Sequence, residues 1–321
     1  MKINLSAEHQ PIRPAVAITA LLLAALWGGT PTAVHFAVDE LPPLLTAGVR
    51  FALASLFMLL WCRFENSQLP VQRGQGLPIL INGLLLFLQI GLFTIGIAQT
   101  SASHASVLIN TYVFWVAGID HILTKFSRLS VLRIAGLIFA AAGGMIALLV
   151  TEAPSSAGHQ MDQPTRTGDF CLAGSAFVLG IKIVYMKVSM RNIEPGKLML
   201  WHDLVGMSLF FISSLAFEQE SLRQVRSLHI PTVVGLFYQG VVVSGFCFAA
   251  QAALLKRHSA AGISIFSVAT PLFGVTIAVL LRGDRLSPWL GVGGVCVALG
   301  IYLVNRRRPE PPMLAERNQR R

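Results

Sequence analysis

Three charged side chains, Arg50, Lys182 and Asp203, lie inside long apolar stretches, where each costs about 2.5–3.5 kcal/mol at a helix centre. Arg50 stands six residues into the stretch beginning at Leu44, roughly 9 Å along a helix at ~1.5 Å per residue. Its planar fork suits the carboxylate of a solute; snorkelling, or bonds to backbone carbonyls at a broken helix, are the structural alternatives. Lys182 precedes the end of its stretch at Val188 by six residues, and Asp203 follows the start of the next at Leu198 by five. Those offsets give similar depths of about 9 and 7.5 Å on consecutive antiparallel helices. The sequence therefore makes a Lys182–Asp203 pair a candidate, which either exchanges with a substrate or proton or is a plain salt bridge; the other alternative is that Lys182 alone snorkels along its apolar stem. His35, His104 and His202 are in or beside apolar stretches; an imidazole can serve proton coupling near neutral pH, and a hydrogen bond to a neighbouring helix is the alternative for each. His202 stands 152 residues after Arg50, a recurring offset described below, and with Lys182 and Asp203 it completes the candidate set for intramembrane charge and proton coupling.

Gly28-Gly29-Thr30-Pro31 interrupts the first apolar stretch, since proline removes a backbone donor and biases its predecessor away from helix. Irregular backbone at membrane depth needs a protein or watery partner, so Trp27 and Thr30 are candidate substrate-binding residues, with Thr270 beside Pro271 in the same role. Tyr112, Trp115, Tyr185 and Tyr238, with Trp27, can form an aromatic wall for an amphipathic solute; packing or lipid-facing positions are the alternative for each.

The elements that must position these groups are membrane helices. Of 321 residues, 54% are hydrophobic and 12% charged, against about 25% charged in soluble domains. The apolar residues form ten blocks of membrane-spanning length: 15–38, 44–62, 77–98, 102–123, 132–150, 170–188, 198–217, 233–255, 260–281 and 289–304. Little chain remains for a soluble catalytic domain. The net charge of +10 comes from Lys and Arg scattered through short connections, which is not a nucleic-acid-binding face. With ten crossings, 18 Lys and Arg fall on the side of the termini and 5 opposite, the other two being Arg50 and Lys182. That asymmetry predicts cytoplasmic termini. Cys62, Cys171, Cys247 and Cys296 lack metal spacing and read as packing residues. The phosphate-cradling GxxxxGK[ST], HExxH and GxSxG patterns are absent, and no cofactor is expected.

The connection 151–169 contains Pro154, Gly158 and Pro164 and divides the chain into two sets of five blocks. Arg128-Leu129-Ser130 recurs as Arg285-Leu286-Ser287, and Gly136 and Gly143 recur as Gly293 and Gly300, at an offset of 157. Gly28 and Pro43 recur as Gly180 and Pro195 at an offset of 152. Five crossings per half make the second half enter from the opposite face, which predicts an inverted repeat.

Trp27-Gly28, Pro43 with Arg50 seven residues on, Ser101-Ala102-Ser103, and Pro271 ahead of Gly283-Asp284-Arg285-Leu286-Ser287 with Gly293 and Gly300 together resemble the EamA-type group of the drug/metabolite transporter superfamily. The chain departs from that pattern at Phe114, where a proline is expected, and at Phe126-Ser127-Arg128-Leu129, where Gly-Glu-Arg-Leu is expected. The resemblance implies a secondary carrier of small metabolites, often amino acids or amphipathic compounds and often an exporter. The expected architecture is an all-α polytopic membrane protein of ten transmembrane helices in two inverted five-helix repeats. It comprises a cytoplasmic tail (1–14), a first repeat (15–150), an extracytoplasmic loop (151–169), a second repeat (170–304) and a basic cytoplasmic tail (305–321). The expected setting is an inner cell membrane, and the expected partners are the lipid bilayer, a small-molecule substrate and protons. Alternating access about a midplane site is the expected mechanism. A membrane-embedded enzyme acting on a lipid or isoprenoid, and a non-transporting scaffold or sensor, are the alternatives. Oligomeric state is not legible.

Overall fold

The computed structural model describes residues 14–124, 131–149, 165–225, 227–257, 266, 269–284 and 288–305. The two Arg-Leu-Ser tripeptides, nearly all of both expected tails, most of the 151–169 connection and most of 260–268 lie outside the described residues. Within them every regular element is a helix. Its helices are α1 (Pro14–Gly28), α2 (Thr30–Val38), α3 (Pro43–Phe64), α4 (Gly76–Ile97), α5 (Ala102–Asn110), α6 (Tyr112–Thr124), α7 (Val131–Leu149), α8 (Arg166–Ser189), α9 (Pro195–Phe217), α10 (Gln219–Gln224) and α11 (Ile230–Phe237). A π-helical segment (Tyr238–Cys247), α12 (Phe248–Arg257), α13 (Ala269–Arg282) and α14 (Pro288–Asn305) follow.

Among the described residues, six helical stretches are long and apolar enough to cross a membrane: Pro14–Val38, Pro43–Phe64, Gly76–Ile97, Arg166–Ser189, Pro195–Phe217 and Ile230–Gln251. Ile134–Ile146, Ala269–Arg282 and Pro288–Leu303 are shorter apolar helices.

Polar side chains tie the helix ends together and fix which ends meet. At one end, Glu218 after α9 accepts from the backbone N–H groups of Leu44 (2.9 Å) and Leu45 (3.1 Å). It thereby caps α3, whose own N-cap is Pro42. At this same end Asp39 holds Arg282, Glu40 holds His229, and Asp284 accepts from the backbone and hydroxyl of Ser103 at 2.8 Å each. We call this the far end. At the near end, where α1 begins, Gln75 donates to the Asn192 carbonyl (3.0 Å), Trp201 to that of Leu69 (2.9 Å), and Lys197 to that of Pro70.

Between the ends, helices approach closely at glycines, as expected where lipid is as apolar as the helix faces. A Cβ on Gly28 would lie 2.9 Å from the Gly274 nitrogen and from the Thr270 oxygen of α13. One on Gly180 would lie 2.6 Å from Cβ of Trp115, and one on Gly143 would lie 2.5 Å from the Gly293 oxygen of α14. Apolar side chains fill in elsewhere; Ala47, Phe51, Leu86, Ile90 and Phe210 form one buried cluster of α3, α4 and α9.

Three local features differ from the sequence reading. The block 102–123 is divided at Thr111, where Asn110 and Thr111 turn their side chains back onto the carbonyls of Ser106 (2.7 Å) and Leu108 (2.6 Å). Such bonds compete with the helical ladder. The block 233–255 contains the π segment, whose Gly240 and Gly245 lie against Leu53 and Phe57 of α3. Finally, α8 starts at Arg166, because Thr165 accepts from the Gly168 N–H at 3.0 Å as an N-cap. Asp169, assigned by sequence to the connection, is consequently helical and buried.

Candidate functional site

α3 carries Arg50 into the bundle with 5% of its surface exposed. Its Nε donates to Ser244 Oγ of the π segment at 2.9 Å, and its guanidinium carbon lies 5.3 Å from the Phe51 ring centre. The lack of a side chain at Gly240 permits the approach, since a Cβ there would lie 3.0 Å from the Arg50 carbonyl oxygen. Nη1 of Arg50 is buried and has no hydrogen-bond partner among the described residues.

Lys182 on α8 and Asp203 on α9 are buried with Arg50, and Asp203 lies within electrostatic range of both cations. The candidate Lys182–Asp203 contact is not the one formed. Lys182 Nζ donates to Gln89 Oε1 on α4 at 2.9 Å, and no Lys182–Asp203 approach within 4.0 Å occurs among the described residues. Gln89 is itself held by Ser175, whose Oγ receives from Gln89 Nε2 (3.2 Å) and donates to the Gln89 carbonyl (2.8 Å). Equal depth on neighbouring helices set the height of the two charges, whereas the direction each faces let an amide on a third helix reach Lys182 first.

His202 Nδ1 lies 2.6 Å from the Met199 carbonyl and 3.4 Å from Asp203 Oδ1. Both neighbours are acceptors, so Nδ1 bears a proton and points along its own helix. Arg50, Lys182, His202 and Asp203 thus form one buried polar layer.

The remaining candidates lie around the break between α1 and α2 or along α6 and α8. Pro31 leaves the Trp27 carbonyl, four residues before it, without its helical donor, and Tyr238 donates its hydroxyl to the adjacent Leu26 carbonyl at 2.6 Å. A Cβ on Gly29 would lie 2.6 Å from that hydroxyl oxygen. Tyr238 is therefore a partner for backbone beside the break before it is an aromatic wall. Thr30 is buried, its hydroxyl without a hydrogen-bond partner among the described residues. Trp27 meets Phe248 edge-on at 6.0 Å, and Thr270 presents its carbonyl to Gly28. Trp115 packs edge-on against Phe177 at 4.9 Å over Gly180. Tyr112 flanks a buried apolar cluster that includes Val107 and Leu108, and Tyr185 is half-buried on α8 with its carbonyl accepting from Ser189.

The sequence reading passed over Gln89, Ser244 and Gln239. Gln239, adjacent to Gly240, is wholly buried with neither amide atom hydrogen-bonded among the described residues. The signal was available: an amide within an apolar block needs a partner for the same reason a charge does. The four cysteines are free, Cys62 and Cys247 being buried.

The chain is 23% identical over 292 residues to the uncharacterized transporter YoaV of Bacillus subtilis, covering 90% of this chain and 96% of the other. It is 24% identical over 289 residues to a protein of Salmonella typhimurium named a probable amino-acid metabolite efflux pump, covering 88% and 92%. A solved crystal structure matches with a TM-score of 0.64 at 15% identity, covering 95% of this chain and 98% of that one, a likeness of fold. The model of the EamA-like transporter family matches residues 15–149 and 166–306. The chain belongs to the EamA-like transporter family and is a membrane-embedded, multi-pass transporter of small metabolites.

Proposed function

We propose that the protein is a secondary carrier of ten crossings in two inverted halves, that it exports amino-acid-like solutes, and that Arg50 holds the solute's carboxylate. The observation that carries the site assignment is the state of Arg50: a buried guanidinium anchored through Nε to Ser244, with Nη1 lacking a partner among the described residues. A buried donor of this kind is costly to leave unmet, and a carboxylate meets it with a charge-assisted bond. Asp203 and Lys182 lie closer to the near end and supply charges of both signs to the same region, which suits a zwitterion. Amino-acid export is also in the name of the Salmonella relative. In its alternating-access cycle the two halves rock about this layer.

The glycine contacts support the inverted repeat. Gly28 backs onto α13, and its offset-152 partner Gly180 backs onto α6; the penultimate crossing of the other half is the neighbour each time. α7 and α14, the last helix of each half, pack together through Gly143 and Gly293. The charge asymmetry supports cytoplasmic termini. A reporter enzyme fused after Asn305 is expected to be active in the cytoplasm, and external activity would reverse the orientation.

The test of the site is transport of a panel of radiolabelled amino acids in proteoliposomes. Arg50→Lys keeps a cation and loses the fork, so it is expected to insert normally while transport falls at least tenfold. Ser244→Ala, which frees the guanidinium without removing it, is expected to fall less. Unchanged kinetics in Arg50→Lys would take Arg50 out of the substrate site.

A further inference from the structure

The π-helical segment decides which of its side chains share a face. A π-helix bonds each residue to the one five places on, so side chains five apart stack on one side of it, whereas in an α-helix they lie roughly 140° apart. Gly240 and Gly245 show this spacing. A Cβ on the first would lie 2.7 Å from Leu53 Cβ and one on the second 2.6 Å from Phe57 Cγ, so both glycines meet α3. Gln239 and Ser244 are the neighbouring pair at the same spacing. Ser244 accepts from Arg50 Nε at 2.9 Å, which sets the direction of their face.

Gln239 stands on that face one turn closer to the far end than Ser244. It comes between Tyr238, which turns to the end of α1 and donates to the Leu26 carbonyl, and Gly240, where a Cβ would lie 3.0 Å from the Arg50 carbonyl oxygen. Its side chain is therefore directed between the α1–α2 break and the part of α3 that carries Arg50. It is wholly buried, and neither Oε1 nor Nε2 has a hydrogen-bond partner among the described residues. Arg50 Nη1 is in the same condition. The amide oxygen and the guanidinium are complementary, an acceptor and a donor, yet they do not bond each other. A gap wider than a hydrogen bond separates them, beside a face they share through Ser244.

The three unmet atoms define what fits between them. Gln239 has one acceptor and one donor group side by side, and Arg50 has a further donor. The main-chain group of an α-amino acid has the matching set, an ammonium that only donates next to a carboxylate that only accepts. With the ammonium on Oε1, one carboxylate oxygen on Nε2 and the other on Nη1, all three atoms are met by charge-assisted bonds. A carboxylic acid without the ammonium leaves Oε1 unmet, and an amine without the carboxylate leaves both donors unmet, each at the cost of a buried unpaired group. None of these contacts reads the solute's side chain.

We propose that Gln239 is a substrate-reading residue and that with Arg50 it selects α-amino acids by their adjoining ammonium and carboxylate. The proposal rests on the reading of Arg50 as the holder of the carboxylate, and it adds the group that tells an amino acid from a plain carboxylic acid. The π-helix makes the pairing possible, because in α-helical register Gln239 turns away from the face of Ser244.

The test is equilibrium binding to the full chain in lipid nanodiscs, read by scintillation proximity with tritiated alanine, leucine and phenylalanine. Each is displaced by its unlabelled form and by the matched acid without the amino group: propionate, 4-methylpentanoate or 3-phenylpropionate. The wild-type protein is expected to bind at least one amino acid thirtyfold or more tighter than its matched acid. Gln239→Met keeps the length of the side chain and removes both polar atoms. It is expected to weaken that amino acid at least tenfold and the matched acid less than threefold, so that the preference collapses. Gln239 has no side-chain bond among the described residues to lose, so Gln239→Met and Gln239→Leu are expected to give as much folded protein as wild type in size-exclusion chromatography. Loss of folded protein in both variants would make the amide structural and overturn the proposal, as would a thirtyfold preference that survives in folded Gln239→Met. Arg50→Lys separates this proposal from the reading beneath it, since it is expected to weaken both members of each pair together. If it does so while Gln239→Met changes neither, or if wild type binds the acids as tightly as the amino acids, Gln239 is excluded and the carboxylate site stands. If wild type binds no member of any pair, both fall.

Discussion

Asp203→Leu is expected to reduce the folded protein recovered from membranes at least tenfold, measured as the monodisperse peak in size-exclusion chromatography. Lys182→Met is expected to retain more than half. The asymmetry follows from the composition of the polar layer. Arg50 and Lys182 both lie within electrostatic range of Asp203, so removing the carboxylate leaves two like charges in low dielectric. Uncompensated buried charge of this kind costs about 3–5 kcal/mol. Removing Lys182 instead leaves Arg50 opposite Asp203, while Gln89 keeps its bonds with Ser175. The double variant Lys182→Met/Asp203→Leu relieves the repulsion and is expected to recover part of the loss, as coupled sites do. Equal losses in the two single variants would mean that Lys182 and Asp203 compensate one another as an exclusive pair. Wild-type recovery of Asp203→Leu would mean that its charge does not stabilise the layer.

What sequence could reach here was height along a helix, and what it could not reach was direction. Apolar block lengths placed Arg50, Lys182 and Asp203 at membrane depth, and the structure buries all three. The step from depth to partner failed for Lys182 because each residue turns the helix by about 100°, so an error of one or two residues in a block boundary changes the neighbour entirely. Gln89 also carries no charge and so gave no pattern to match with Lys182. Tyr238 shows the same limit: Pro31 announced an interrupted helix, but the bond to the Leu26 carbonyl beside that break, from a hydroxyl 212 residues away, needs the fold. The contacts of His35 with the Thr100 carbonyl and of the Thr100 hydroxyl with Asp169 are of that kind too. Their members are ordinary polar residues near block ends, and packing of α2, α8 and the α4–α5 turn is what brings them together.

Glycines behaved differently, because a repeated glycine constrains packing even before the partner is known. Their recurrence at two offsets was legible in the sequence. Which helices they let together was not, since the contacts run between halves: Gly28 to α13, Gly180 to α6, and Gly143 to α14.

Gly143→Leu is expected to abolish recovery of folded protein, and Gly143→Ala to reduce it several-fold. A Cβ at this position would lie 2.5 Å from the Gly293 carbonyl oxygen, 2.8 Å from Val297 Cγ2 and 2.9 Å from the Val297 nitrogen. Two of those three atoms are backbone and cannot turn aside, so α7 and α14 must separate. Overpacking typically costs about 1–3 kcal/mol, and here it also forfeits the close contact that holds two membrane helices together without a hydrophobic drive. Gly118→Leu is the control, since a Cβ there meets nothing within 4 Å among the described residues. Shortening the one movable neighbour, in Gly143→Ala/Val297→Ala, is expected to give no recovery, because the carbonyl remains in the way. The proposed inverted repeat adds a second expectation. Gly300 stands 157 residues after Gly143 and Gly136 the same distance before Gly293, so a two-fold relation between the halves makes Gly300→Leu as damaging as Gly143→Leu. A tolerated Gly300→Leu beside a lethal Gly143→Leu would leave the α7–α14 contact standing and remove the symmetry.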